Sequence, residues 1–236
     1  MNNLDNIKAV AIGLLHQPIV ETEFWPIICQ HPFTNTGYCY VPDCNELHQV
    51  KNIDDPYIYE QWTAYIADKI MKAQDIYELY MMINKPYRLT FLKYIRLYID
   101  IPIFSELLRE SWISMENPNT DPNFNNSTLI QCFKYCDLQY LMDENDYIFF
   151  KNMPDEITVY RGITDQNKYS VRALSWTINP DVAEWFAKRF NSKGIIYHTT
   201  IPKKYILAYF SDRNEEEVII DINKIKNKDI VIYKQL

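Results

Sequence analysis

The 236-residue chain has a formal charge of −7, is 47% apolar and 15% aromatic, and carries 19 tyrosines. That is enough material for one large or two small packed domains, and it excludes a disordered chain. The charge is uneven: residues 1–150 hold 10 Lys/Arg and 20 Asp/Glu, a balance of −10, while residues 151–236 hold 14 and 11, a balance of +3.

This split suggests two modules, a mostly helical acidic region over 1–150 and a second module over 155–236, the second either standing alone or packing as one unit with part of the first. An acidic first module argues against non-specific nucleic-acid binding as its task. No run of about 18 apolar residues is present, so no membrane span is expected. The first twenty residues lack the basic-then-apolar order of a secretion signal, and the expected location is cytoplasmic.

Residues 1–56 are punctuated by Pro18, Pro26, Pro32, Pro42 and Pro56 and read as loops, with a short hairpin around Thr36-Gly37. From 57 to 113 the pattern is helical. Trp62, Ile66, Ile70, Ala73, Tyr77, Tyr80 and Met81 recur at helical spacing, and Pro86 ends that helix. Tyr87–Ile99 forms a second helix, and Pro102 opens a third that ends near Trp112. The polar stretch Glu116–Asn126 is a loop, either a lid or a connection. Ser127 caps a further helix to about Met142.

After Pro154 the texture changes to short strands: Ile157–Tyr160, Gly194–Ile201, Tyr205–Phe210, Glu216–Asp221 and Asp229–Tyr233. Asn179 followed by Pro180 is a helix start, cap then first-turn proline, and Val182, Ala183, Phe186, Ala187 and Phe190 mark one face of that helix. The expected class is α+β.

Glycine is scarce: Gly13, Gly37, Gly162 and Gly194 are the whole set. A dinucleotide-binding turn needs three glycines within six residues and a phosphate loop needs two, so neither is present. Cys29, His31, Cys39 and Cys44 fit no tight zinc spacing. Buried reduced thiols are the expectation for them and for Cys132 and Cys136, and no metal site is expected. His16, His31, His48 and His198 belong to no nucleophile motif, and His198 is expected to face solvent or a neighbouring strand.

Three short pieces carry chemistry in order: Tyr160-Arg161-Gly162 at a strand end, Ser175-Trp176-Thr177 before the capped helix, and Glu215-Glu216-Glu217-Val218 entering a strand. Each alone is weak. In an extended strand, however, Glu215 and Glu217 would share one face, with Glu216 on the other. Two like charges on one face repel, so the pair invites a functional reading.

Together the pieces resemble the Arg–Ser–Glu class of ADP-ribosyltransferases, most closely its arginine-specific ectoenzymes and iota-type toxins. The matching residues are Arg161, Ser175-Trp176-Thr177 and Glu215-x-Glu217, over roughly residues 155–236. The chain as a whole also resembles bacterial and prophage-type proteins with such a tail. The class motif Ser-Thr-Ser is met only at Ser175.

The resemblance implies a split mixed β-sheet core with a helix, and NAD as substrate. It gives Glu217 the developing oxocarbenium charge, Ser175 the orientation of Glu217, and Glu215 the acceptor as general base. Arg161, Gly162, Ser175 and Thr177 would hold NAD, with Gly162 letting the nicotinamide amide approach the backbone. The implied acceptor is a macromolecule, an arginine of a protein before a nucleic acid, with a protein partner for the acidic half. Two alternatives share these residues: a transferase fold that has lost catalysis, and an NAD glycohydrolase. Phe210 would either touch the acceptor or pack in the core.

Overall fold

The computed structural model describes residues 3–40, 50–115, 124–191 and 193–236. Cys44, His48 and most of the polar loop after Glu116 lie outside the described residues. The chain forms two compact units, Met1–Asp100 and Ile101–Leu236.

The first unit is built on four helices: α1 (Leu4–Leu15), α2 (Pro56–Lys72), α3 (Ile76–Met82) and α4 (Arg88–Ile95). The single long helix expected from Trp62 to Met81 is two. The Asp75 side chain accepts from the Glu78 amide and starts a new helix, a local bond worth about 1 kcal/mol. The faces still converge, and Ile7, Leu15, Trp62, Ile70, Leu79, Tyr80, Leu89 and Phe91 are buried together with Ile95.

Two short antiparallel ladders complete the unit: β1 (Val20–Glu21) with β2 (Cys29–Gln30), and β3 (Tyr38–Tyr40) with β4 (Val50–Asn52). Thr36-Gly37 is therefore not a hairpin turn. Gly37 instead lies against Trp25 and Pro26, where an added Cβ would sit 2.6 Å from the indole.

His31 is buried at 1% exposure. Its Nε2–H donates to the carbonyls of Leu15 and Gln17, and its Nδ1 accepts from the Phe33 amide. Burial pushes the imidazole below its ordinary value of 6.5, while the two carbonyls oppose that shift. The unfolded chain therefore binds the proton more readily than the folded one. The stability from neutral His31 is present above pH 6.5 and is lost as pH falls through the lowered value. His31 should pull the thermal midpoint of the full chain down between pH 7 and 5, against the buried carboxylates, which act the other way. His31→Gln should be less stable at pH 7 but show a flatter profile over that range; an equally steep profile would clear His31 of the effect.

The second unit begins with α5 (Ile101–Ser114), α6 (Asn126–Tyr135), α7 (Leu138–Leu141) and α8 (Glu144–Asn152). The cap of α6 is Asn125, whose side chain accepts from the Thr128 amide, and not Ser127. The helix stops at Tyr135 because Asp137 caps a fresh turn, so the helix expected to reach Met142 is broken. These helices belong with the sheet and not with the first 100 residues. Phe149 lies against Tyr209, with ring centroids 4.4 Å apart, and Trp112 and Phe133 are fully buried.

The sheet has six strands: β5 (Glu156–Ile163), β6 (Ser175–Thr177), β7 (Ile195–Pro202), β8 (Ile206–Phe210), β9 (Glu217–Ile220) and β10 (Val231–Gln235). Their spatial order is β10-β7-β5-β6-β9-β8. Every described pairing is antiparallel, so the expected mixed sheet is corrected: the connections between paired strands return the chain in the opposite direction. The β5–β6 join rests on one pair, Tyr160 with Thr177, and divides the sheet into two three-stranded halves.

Helix α9 (Pro180–Ala187), capped by Asn179, lies on β5. It ends before Phe190 because Phe190 and Asn191 take left-handed φ of 58° and 56°. A Cβ on Gly162 would meet the Ala183 carbonyl at 2.0 Å and the Ala187 nitrogen at 2.7 Å. Helix–strand contact therefore accounts for this glycine without any ligand.

Candidate active site

Arg161, Ser175 and Glu217 stand on three different strands, β5, β6 and β9. The order of those strands brings the residues together. Thr177 pairs with Tyr160 on one side and with Glu217 on the other. Arg161 follows Tyr160 by one residue, so its side chain leaves the opposite face from Tyr160 and Gly162 and away from α9. Its Nε donates to the Ser170 carbonyl at 2.9 Å, and its Nη1 donates to the Ser175 carbonyl. Burial pulls the guanidinium down to about 10, and Glu217 opposes that shift, so it stays charged at neutral pH.

Glu217 is 6% exposed. Its carboxylate accepts from the Trp112 indole Nε1–H at 3.1 Å, and the Ser175 side chain on the neighbouring strand favours its charged form. Burial pushes its pKa above the usual 4.5. Ser175 and Trp112 pull it down, Glu215 raises it and Arg213 lowers it. A buried carboxylate that accepts from one buried indole and is felt electrostatically by the Arg161 guanidinium is a group whose charge is costly to keep. Such groups concentrate at functional sites.

Glu215 reaches this neighbourhood by a different backbone from the one expected. It is in the helical region at φ −89°, and Glu216 is left-handed at φ 44°. The strand begins only at Glu217, so strict alternation across 215–217 does not hold. Glu215 nevertheless acts electrostatically on Glu217, whereas Glu216 acts on Tyr209. Glu215 is half-buried, forms an ion pair with Arg213 at 3.0 Å, and is pushed up by burial against the pull of Arg213 and Arg189.

The loop ahead of Glu217 is strained and fastened. Arg213, Asn214 and Glu216 all have positive φ, which costs on the order of 1–3 kcal/mol for each residue that does not favour it. Asp212 accepts from Arg109 Nη2 at 2.9 Å, and the Ser211 amide donates to the buried Asp146 carboxylate at 3.0 Å. The Thr177 hydroxyl donates to the Glu215 carbonyl at 2.8 Å and accepts from the Asn179 amide. Thr177 therefore ties the loop to the start of α9. Phe210 pairs with Glu217 and is 1% exposed, a core position. His198 stacks on Tyr160 beside Tyr233 and does not join Glu217.

Three contributors were not foreseen from the sequence: Trp112, Arg109 and Asp146. All lie before residue 150, in helices with no motif. Trp112 is 105 residues from its partner, and no local pattern links them. A shallow cleft of about 360 Å³ lined by Phe149, Met153, Pro154, Ile157 and Ile178 opens near the start of β5, and Glu217 does not line it. Among the described residues, no group of three or more His, Cys, Asp or Glu stands ready to hold a metal ion, and no helix is long and apolar enough to cross a membrane.

Comparisons of the chain with models of known protein families, with curated proteins and with solved structures found no match.

Proposed function

We propose that residues 101–236 form the catalytic unit of an NAD-dependent mono-ADP-ribosyltransferase of the Arg–Ser–Glu class. The observation that carries the reading is the convergence of Arg161, Ser175 and Glu217 from three strands around one buried carboxylate. The split of the sheet at the Tyr160–Thr177 pair supports it as well.

In this reading NAD is the substrate. The bond between the ribose C1′ and the nicotinamide nitrogen breaks, its electron pair leaves on nicotinamide, and an oxocarbenium-like ribosyl group remains. Glu217 stabilises that charge, oriented by Ser175. Arg161 fixes the strand ends around the site and lends positive charge to the anionic half of NAD. The acceptor nucleophile attacks C1′ and passes its proton to Glu215, whose raised pKa suits a general base better than an ordinary carboxylate does.

The acceptor is a macromolecule, with an arginine side chain of a protein favoured over a nucleic acid. A protein partner for the acidic residues 1–150 is part of the proposal. Cytoplasmic residence, where NAD is at hand, belongs to the same proposal.

The test uses the purified full chain with NAD and a cell extract. Nicotinamide release is followed by chromatography, and labelled ADP-ribose is followed into macromolecules. Both should occur. Nicotinamide release without transfer would make the protein a glycohydrolase. Absence of both between pH 5 and 9 would sink the enzyme reading.

A further inference from the structure

Helix α5 supplies two contacts to the acidic segment. Arg109 Nη2 donates to both carboxylate oxygens of Asp212, at 3.1 and 2.9 Å, and lies 3.6 Å from Asp143. Trp112 donates its indole N–H to Glu217. Arg109 and Trp112 are three residues apart and so share one face of the helix. Asp212 and Glu217 bracket the segment that contains three left-handed residues and Glu215. Trp112 is fully buried, and its ring meets Phe133 of α6 edge-on at 5.1 Å, so the indole cannot swing away without opening the core.

We propose that α5 is a two-point clamp for the acidic segment: Arg109 and Trp112 are positioning residues, the first fixing the strained loop and the second aiming the Glu217 carboxylate. Neither residue lies within the 155–236 stretch that carries the motifs. The site is therefore complete only with the helices in front of it. This inference rests on the proposed function for its catalytic consequence, but not for the contact itself.

The physical argument concerns competing terms on one carboxylate. Burial and Glu215 disfavour its charge; Ser175, Trp112 and Arg213 favour it, and Glu217 in turn acts electrostatically on the Arg161 guanidinium. A hydrogen bond from a buried, immobile donor to an ionised group is among the stronger single contacts in a protein. Trp112→Phe removes the N–H and keeps an aromatic ring against Phe133. It should raise the pH at which Glu217 titrates by about one pH unit, the size expected for one such bond.

The experiment follows the Glu217 side-chain carboxyl by carbon NMR across pH in the full chain, in wild type and in Trp112→Phe. In wild type the Trp112 Nε1–H resonance should move with the same titration, and in Glu217→Gln that movement should vanish. In Trp112→Phe the acid limb of nicotinamide release should shift upward by the same amount as the carboxyl titration. An unchanged Glu217 titration in Trp112→Phe would overturn the clamp. If that variant does not fold, a wild-type indole resonance that ignores Glu217, or that still titrates in Glu217→Gln, would overturn it instead. A Glu217 titration shifted in Trp112→Phe, together with a wild-type protein that never cleaves NAD, would leave the clamp standing and remove the transferase reading.

Discussion

Glu217→Gln should cut nicotinamide release from NAD by about a hundredfold or more while leaving the protein at least as stable as wild type. The two halves of that expectation have one cause. The side chain keeps its size, and its oxygen can still accept from Trp112. What is lost is the negative charge in a site that is 6% exposed, where a positioned charge is worth about 2.7–4 kcal/mol to a transition state that develops positive charge. The same charge is a burden on the fold. Burial raises the Glu217 pKa above 4.5, so the folded state holds the proton more tightly than the unfolded one. Between 4.5 and the raised value, stability therefore falls as pH rises, and at neutral pH the ionised carboxylate costs folding energy. Removing it should hold or raise the thermal midpoint.

Glu216→Gln is the control, because Glu216 acts on Tyr209 and not on Glu217. It should leave nicotinamide release within about twofold of wild type, since the substitution keeps the side chain's size and removes a charge felt by Tyr209 and not by Glu217. An active Glu217→Gln, or a Glu216→Gln that loses activity to the same degree, would mean that the catalytic carboxylate is misplaced. A Glu217→Gln that is inactive only because it has unfolded would show itself in the melting curve.

Arg161→Lys should raise the KM for NAD by about tenfold or more and lower the thermal midpoint. The guanidinium does two things that an ammonium cannot do at once. It donates from separate nitrogens to the carbonyls of Ser170 and Ser175, and it keeps positive charge beside Glu217. Lysine is a single point charge on a flexible stem, so at most one of those carbonyl ties survives. Each carbonyl tie lost from the charged guanidinium costs the fold about 1.5–3 kcal/mol, whereas the rise in KM reports the separate loss of a two-pronged contact to an NAD phosphate, for which about 1.4 kcal/mol is a factor of ten. Steady-state kinetics and calorimetry separate the two effects. A lowered midpoint with unchanged KM would make Arg161 a strand-end brace with no part in holding NAD.

Much of the second unit was legible before any coordinates. The Asn179-Pro180 cap and five of the six strands after Pro154 follow from local features, a side-chain cap and short apolar runs between breakers; Ser175–Thr177 carries no such strand signal, and the grouping of Arg161, Ser175 and Glu217 came from resemblance. A strand or a cap is decided within a few residues, so a few residues are enough to announce it. The same locality explains the errors. Nothing near Tyr77 says that Asp75 will outbid helix continuation, nor near Ser127 that Asn125 will be the cap, because neighbouring polar side chains compete for the same free amides.

Tertiary structure decided the rest. The unit boundary falls at 100/101 because apolar faces of α5, α6 and α8 find the sheet, a matter of long-range burial that no composition shift marks. The positive φ of Glu216 ends the alternation that an extended Glu-Glu-Glu would have had, and a loop fastened at Asp212 and Ser211 can hold that strain. The Trp112–Glu217 bond joins residues 105 positions apart. By itself the sequence determined which chemical groups were available, and only the packed chain determined which of them meet, because a hydrogen bond depends on distance in space and a motif only on distance along the chain.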